Sequence, residues 1–300
     1  MSWIICALIA VCLWTASGLI DKHVIGLKKH DPISATVLKS YIIFALFTAA
    51  TLIAGKGITL NIPLILLAVI GGGLTCATIY PYYKALLVSD ASEVMPIFSI
   101  TPMFTLFLGA LFLNEHFPWS TYIGITSMSV GAILMSIHIK EHRARLNPQT
   151  LFAIGVALFS AIRSVTLKFP LDIASPWPLL FWMGVGGLVV STPLLVRHWD
   201  RIKRYQYVQE RIGLGQFVLA DIFDSLANLF LVLALALGPV SIVSAIVGIG
   251  PLVTFFVTLG LSLFVPALLK ENFSKLAILK KSLATFFIVV GTLILAFSIH

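Results

Sequence analysis

Residues 91–102 read ASEVMPIFSITP and residues 240–251 read VSIVSAIVGIGP; laid over each other without a gap, they match Ser92 with Ser241, Val94 with Val243 and Pro102 with Pro251. The same offset of 149 residues holds on both sides: Ala85-Leu86 falls on Ala234-Leu235, Thr105 on Thr254 and Phe107 on Phe256. Apolar helices match by chance, so no single identity decides the matter. The shared proline, a register that extends both ways and an equal helix count in each half point to a duplicated chain, residues 1–149 followed by 150–300.

At 59% hydrophobic and 11% charged, the 300-residue chain has too little polar surface to face water as a soluble domain. It reads as an all-α integral membrane protein. The net charge of +8 would suggest nucleic acid in a soluble protein, but the Lys and Arg sit in short loops and form no basic stripe interleaved with aromatics. Cys6, Cys12 and Cys76 lie inside apolar runs with no CxxC pair, so neither a disulfide framework nor a zinc site is expected, and no cofactor is implied. The first apolar stretch lacks the basic n-region of a signal peptide, and its counterpart in the second repeat lies mid-chain. It is read as a membrane helix.

Apolar runs bounded by charge, Pro or Gly predict helices near 3–20, 34–54, 62–87, 91–113, 119–138, 150–169, 177–196, 212–237, 240–265 and 277–298. Five helices per repeat is odd, so the second repeat starts on the opposite face of the bilayer and the two five-helix repeats are inverted. The loops after helices one (Lys22, Lys28, Lys29), five (Lys140, Arg143, Arg145), seven (Arg197, Arg201, Lys203, Arg204, Arg211) and nine (Lys270, Lys275, Lys280, Lys281) carry fifteen basic residues. The other face carries Lys56 and Lys168, while Lys39, Lys84 and Arg163 lie within helices. The basic face is the cytoplasmic one by the positive-inside rule, which puts both termini outside.

The hairpin at residues 80–115 (YPYYKALLVSDASEVMPIFSITPMFTLFLGALFLNE) ends helix three on an aromatic-Ala-Leu run, has a mid-helix proline in helix four and closes that helix with Glu115. The second copy shows the same order with Pro251 and Glu271, and Trp14 stands in helix one. In these features the chain resembles the EamA-like branch of the drug/metabolite transporter superfamily. The resemblance implies transport of a small metabolite through a cavity lined by helices one to four and six to nine, with five and ten outside. Two features depart from the family. The stretch from Pro251 to Glu271 is longer than that from Pro102 to Glu115, and the loop charges favour outer termini where the family is usually drawn with cytoplasmic ones.

Ionisable groups inside a bilayer cost a few kcal/mol or more each, so those that persist face water or one another. Lys84, Glu93, Arg163, Lys168, Asp221 and Asp224 qualify. Asp221, Asp224 and Asn228 fall at i, i+3 and i+7 on helix eight with Ser225 beside them, the most polar line in any span. Two carboxylates one turn apart resist simultaneous ionisation, as a proton-coupled carrier requires, so Asp221 and Asp224 are candidate coupling residues. The alternative is a structural ion pair between Arg163 and Asp224. Arg163 shares a helix face with Ser160 and Ser164, and its guanidinium fork suits a carboxylate or phosphate. Tyr80 and Tyr83 share a face that would stack on a planar substrate or mark the interface belt. Trp14 and Ser17 in helix one, at a depth that favours a cavity, complete the candidate binding set of Trp14, Ser17, Tyr80, Tyr83, Arg163, Asp224 and Asn228. Pro102 and Pro251 interrupt corresponding helices near mid-membrane, and Glu115 and Glu271 are expected to cap the next helix or pair with a loop Lys.

All seven histidines lie at helix ends or in loops, and no HExxH, GxSxG or nucleotide-binding loop occurs. That excludes the metalloprotease and hydrolase classes and direct ATP drive, and leaves a secondary carrier in the cell's inner membrane, whose partners are the bilayer and a small polar or zwitterionic substrate such as an amino acid, with protons as the candidate coupling ion. The carrier would be an exporter or proton-coupled exchanger, monomeric or homodimeric. A lipid-intermediate flippase and a non-transporting assembly subunit are the competing readings, and an intramembrane enzyme stands behind both.

Overall fold

The computed structural model describes residues 2–27, 31–88, 100–136, 138–140, 143–145, 148–203, 214–250, 252–254, 256–257, 260 and 275–298. Its helices are α1 (Ser2–Asp21), α2 (Pro32–Ile53), α3 (Ile62–Val88), α4 (Thr101–Phe112), α5 (Trp119–Ser136), α6 (Pro148–Leu171), α7 (Pro176–Arg197), α8 (Leu214–Leu237), α9 (Val240–Val247) and α10 (Lys275–Ser298). Six helical stretches are long and apolar enough to cross a membrane, Ser2–Val24, Pro32–Ile53, Ile62–Leu87, Ile154–Leu171, Pro176–Arg197 and Gly215–Leu237, and Thr101–Phe112, Val240–Thr254 and Ser282–Ile294 are shorter apolar helices. Glu93, Pro251, Glu271 and the first turns expected of helix four lie outside the described residues.

Local chemistry sets several of the boundaries. Asp31 caps α2, its Oδ2 accepting from Ser34 N at 3.0 Å and from Ser34 Oγ at 2.7 Å, and Pro32 follows at the first helical position, where a missing N–H is harmless. α1 continues past its expected end into a π-helical turn, Lys22–Leu27. α4 ends where Asn114 takes φ 55°, a left-handed conformation that asparagine tolerates, and the chain turns so that Glu115 N donates back to Gly109 O at 3.2 Å. Between α5 and α6, where a plain loop is expected, His138–Lys140 and Arg143–Arg145 pair as a short antiparallel ladder.

The major packing pairs join the first five helices to the last five. α1 lies along α8, α3 along α6 and α7, α2 along α7, α4 along α6 and α9, and α5 along α10. Small residues allow the close crossings that drive helix association where lipid offers no hydrophobic gain. A Cβ on Gly72 would run into the Met183 carbonyl, and one on Gly186 into the Val69 carbonyl, so α3 and α7 touch backbone to backbone. The main core fills the space between α1, α2, α3, α6, α7, α8 and α9, around Tyr83, Leu86, Leu167, Leu179, Leu180, Phe217 and Leu235. Outward, Ile62, Leu66 and Ile70 form an exposed apolar stripe at i, i+4 and i+8 on α3, the surface a lipid-facing helix presents.

Candidate functional site

Within this packing lies a cavity of about 190 Å³. Three of its helices present one face each by helical spacing: α1 with Trp14, Ser17, Gly18 and Asp21, α3 with Thr75, Thr78, Ile79 and Tyr82, and α6 with Ser160, Arg163 and Ser164. α8 adds Asp224, Asn228, Leu231 and Leu235, α2 adds Lys39, α4 adds Thr101, and the α9 segment adds Ser244, Val247 and, further along, Thr254. Among the described residues, none of α5, α7 or α10 is in the lining. α7 instead braces α2 and α3, with Gly184 against Phe44 and Gly186 against Val69.

Three carboxylates meet around one lysine. Lys39 Nζ stands 3.6 Å from Oδ2 of Asp21, 3.6 Å from Oδ1 of Asp221 and 3.6 Å from Oδ1 of Asp224. Asp224 is the most open of the three carboxylates, with 16% of its side chain exposed against 2% for Asp21 and none for Asp221. A second cation, Arg163, lies on the far side of Asn228 from Asp224. Arg163 Nη1 donates to Asn228 Oδ1 at 2.9 Å and to Thr75 Oγ1 at 3.3 Å, while its buried Nε has no partner among the described residues. Asn228 links Arg163 to Asp224, because its Nδ2 donates to Asp224 Oδ2 at 3.1 Å and to the Asp224 carbonyl at 2.8 Å. The cavity therefore offers carboxylates and a guanidinium in one low-dielectric space, the arrangement that orients a ligand carrying both charges.

The sequence-derived candidates fall into two groups. Trp14, Ser17, Arg163, Asp224 and Asn228 come together around the cavity. Asp221 lies behind Asp224 and touches the site only through Lys39. Tyr83 is wholly buried outside the lining, under the Lys39 ammonium at 5.4 Å and against Phe217, and Tyr80 stands under Lys84 at 5.2 Å. The tyrosine of this run that reaches the cavity is Tyr82, one hundred degrees around the helix from Tyr83. The direct Arg163–Asp224 ion pair is replaced by the Asn228 link. Asp21 and Lys39 were not singled out. The signal for Lys39 was present, an ammonium inside a long apolar run, subject to the same desolvation argument that marked Lys84.

Away from the cavity, three side chains secure helix ends. Lys22 Nζ donates to Leu86 O at 3.3 Å, and Lys168 Nζ donates to Leu235 O at 2.9 Å and Gly238 O at 3.1 Å while pairing with Asp172 at 2.8 Å. Both lysines meet the free carbonyls at a helix C-terminus, where the dipole favours a cation. Glu115, after α4, accepts from Val240 N at 2.7 Å, Ser241 N at 3.1 Å and Ser241 Oγ at 2.6 Å, and so caps the first turn of α9. The cap expected of Glu115 falls on α9 and not on the next helix, α5, because the turn after α4 carries the carboxylate to the first turn of α9.

Comparison with known proteins gives three findings. Residues 1–137 match the EamA-like transporter family. Curated relatives include the S-adenosylmethionine uptake transporter of Rickettsia felis, 32% identical over 103 residues (34% of this chain and 33% of the relative), and that of Rickettsia bellii, 32% identical over 102 residues (34% of each). The match thus spans about a third of the length of these relatives. A solved crystal structure shares the fold with a TM-score of 0.69, 16% identity, and coverage of 98% of this chain and 96% of the other. The family match and the membrane-capable helices make the chain a multi-pass membrane protein.

Proposed function

Since residues 1–137 belong to the EamA-like transporter family, we propose that the chain is a secondary carrier for a small metabolite that bears both a cationic and an anionic group. The cationic group is received by Asp224 and Asp21, and the anionic group by Arg163. The observation that carries this reading is one cavity lined both by carboxylates and by a half-satisfied guanidinium, joined through Asn228. The relatives' name supports it, because S-adenosylmethionine has a sulfonium and an ammonium on one side of its charge balance and a carboxylate on the other. Trp14 and Tyr82 supply aromatic surface in the same cavity, suited to a planar or cationic moiety.

We also read the chain as ten spans in two inverted repeats, 1–149 and 150–300, rocking about the cavity. Support comes from the pairing of helices: α1 on α8 and α6 on α3 are equivalent pairs once α1 corresponds to α6 and α3 to α8. The two lysine caps support it too, since Leu86 and Leu235, which accept from Lys22 and Lys168, are themselves one repeat offset apart. On this reading the caps lie at opposite mouths, and each secures the end of a cavity-lining helix.

Uptake of labelled S-adenosylmethionine and of labelled amino acids into proteoliposomes tests the cargo. Asp224→Asn and Arg163→Gln each remove a charged contact worth about 1.5–3 kcal/mol, roughly a 10- to 100-fold loss of apparent affinity. Unchanged transport by both variants would remove the site from the account.

A further inference from the structure

Lys39 is held in an unusual way. Its ammonium is 3.6 Å from an oxygen of each of three carboxylates and 5.4 Å from the centre of the Tyr83 ring. Three equal distances of that length describe an ion shared by all its partners and closed on by none. Lys168, at 2.8 Å from Asp172, shows the ordinary charge-assisted contact. Oδ1 of Asp21 and both oxygens of Asp221 accept no hydrogen bond among the described residues, although both side chains are buried. Asp21, Lys39 and Asp224 all line the cavity, so the ammonium has a direct path out of the cage.

Charge adds a second argument. The cavity and the cage behind it hold Asp21, Asp221 and Asp224 against two cations, Lys39 and Arg163. Arg163 is turned to Asn228 and Thr75, and its Nε, buried at the cavity wall, is unpartnered. With all three carboxylates ionised they outnumber these two cations, and a face of Tyr83 adds cation–π attraction for a further positive charge.

We propose that Asp21, Asp221, Asp224 and Tyr83 form a subsite for a small organic cation, and that Lys39 is its tethered occupant, displaced when the ammonium or sulfonium of a substrate arrives. This rests on the carrier reading and narrows the substrate class to cation-bearing metabolites. Its consequence is a division of labour: the substrate's charge fills the cage on the loaded journey, and Lys39 fills it on the unloaded return.

The test uses the purified full chain and no transport. Lys39→Ala empties the slot of an alkylammonium, and n-propylammonium fits it. Thermal unfolding of Lys39→Ala should rise by roughly 5–10 °C at amine a hundred times its dissociation constant, wild type should rise by less because the tethered ammonium competes, and n-propanol should have no effect on either. Amine that stabilises the variant no more than it stabilises wild type overturns the subsite. If Lys39→Ala does not fold, Lys39→Ala with Asp221→Asn removes one charge from behind the cavity, keeps Asp21 and Asp224, and enters the same titration with the same two outcomes. Amine binding without S-adenosylmethionine uptake keeps the subsite and overturns the cargo, and uptake without amine binding does the reverse.

Discussion

Replacing Glu115 with alanine removes the only side-chain cap that the described residues supply to α9, and the cost can be worked from its geometry. Three donors lose their acceptor: Val240 N at 2.7 Å, Ser241 N at 3.1 Å and Ser241 Oγ at 2.6 Å. A hydrogen bond to a charged group is worth about 1.5–3 kcal/mol in isolation, but the three share one carboxylate and do not add. Glu115 is half-buried, so solvent replaces part of what is lost. A total of about 2–4 kcal/mol follows, including the dipole interaction at the first turn. At about 2–4 °C per kcal/mol, the unfolding midpoint of the purified protein should fall by roughly 4–16 °C. Ser241→Ala alone should cost about 1 kcal/mol, and the double variant should be scarcely worse than Glu115→Ala, because the serine's bond is already gone. Gly109→Ala should reproduce part of the effect, since its Cβ would lie 2.7 Å from Ser241 Oγ and 2.9 Å from Glu115 Oε2. A midpoint within a degree of wild type for Glu115→Ala, or strictly additive losses in the double variant, would refute the cap.

Other outcomes are expected from the same geometry. Gly72→Leu should lower stability by at least about 1–3 kcal/mol in a thermal melt, because α3 and α7 meet at backbone distance there. Tyr82→Phe should weaken substrate binding by roughly fivefold, the worth of about 1 kcal/mol, whereas Tyr80→Phe should leave the KM of transport unchanged, since only Tyr82 of the two lines the cavity. Arg163→Lys keeps the charge but loses the planar guanidinium, whose Nη1 bonds to Asn228 and Thr75 while its other nitrogens remain for a substrate carboxylate, so affinity should fall by about tenfold or more.

Helix positions were legible because a span needs a long apolar run and the breaks between runs are marked by charge, Pro and Gly. The Asp224–Asn228 line and the Arg163 face were legible for the same kind of reason, since i, i+4 spacing within one helix survives folding whatever packs against it. What the chain did not declare was partnership between helices. Lys39 meets Asp21 on α1 and Asp221 and Asp224 on α8, and nothing in the local pattern of α2 says which neighbours it will face. The tyrosine run shows the limit at finer scale. Tyr80 and Tyr83 share a face, but whether that face or the one carrying Tyr82 meets the cavity depends on the rotation of α3, which is set by its contacts with α6 and α7.

The account turns on a cavity that recognises positive charge through Asp224. With the sulfonium assigned to Asp224, the most direct measurement is competition in proteoliposomes between labelled S-adenosylmethionine and S-adenosylhomocysteine, which keeps the ammonium and carboxylate but lacks the sulfonium charge, for wild type and Asp224→Asn. The account predicts that wild type prefers the sulfonium by tenfold or more, about 1.4 kcal/mol, and that Asp224→Asn loses the preference. Equal transport of the two compounds by wild type, or a preference left intact by Asp224→Asn, would contradict it.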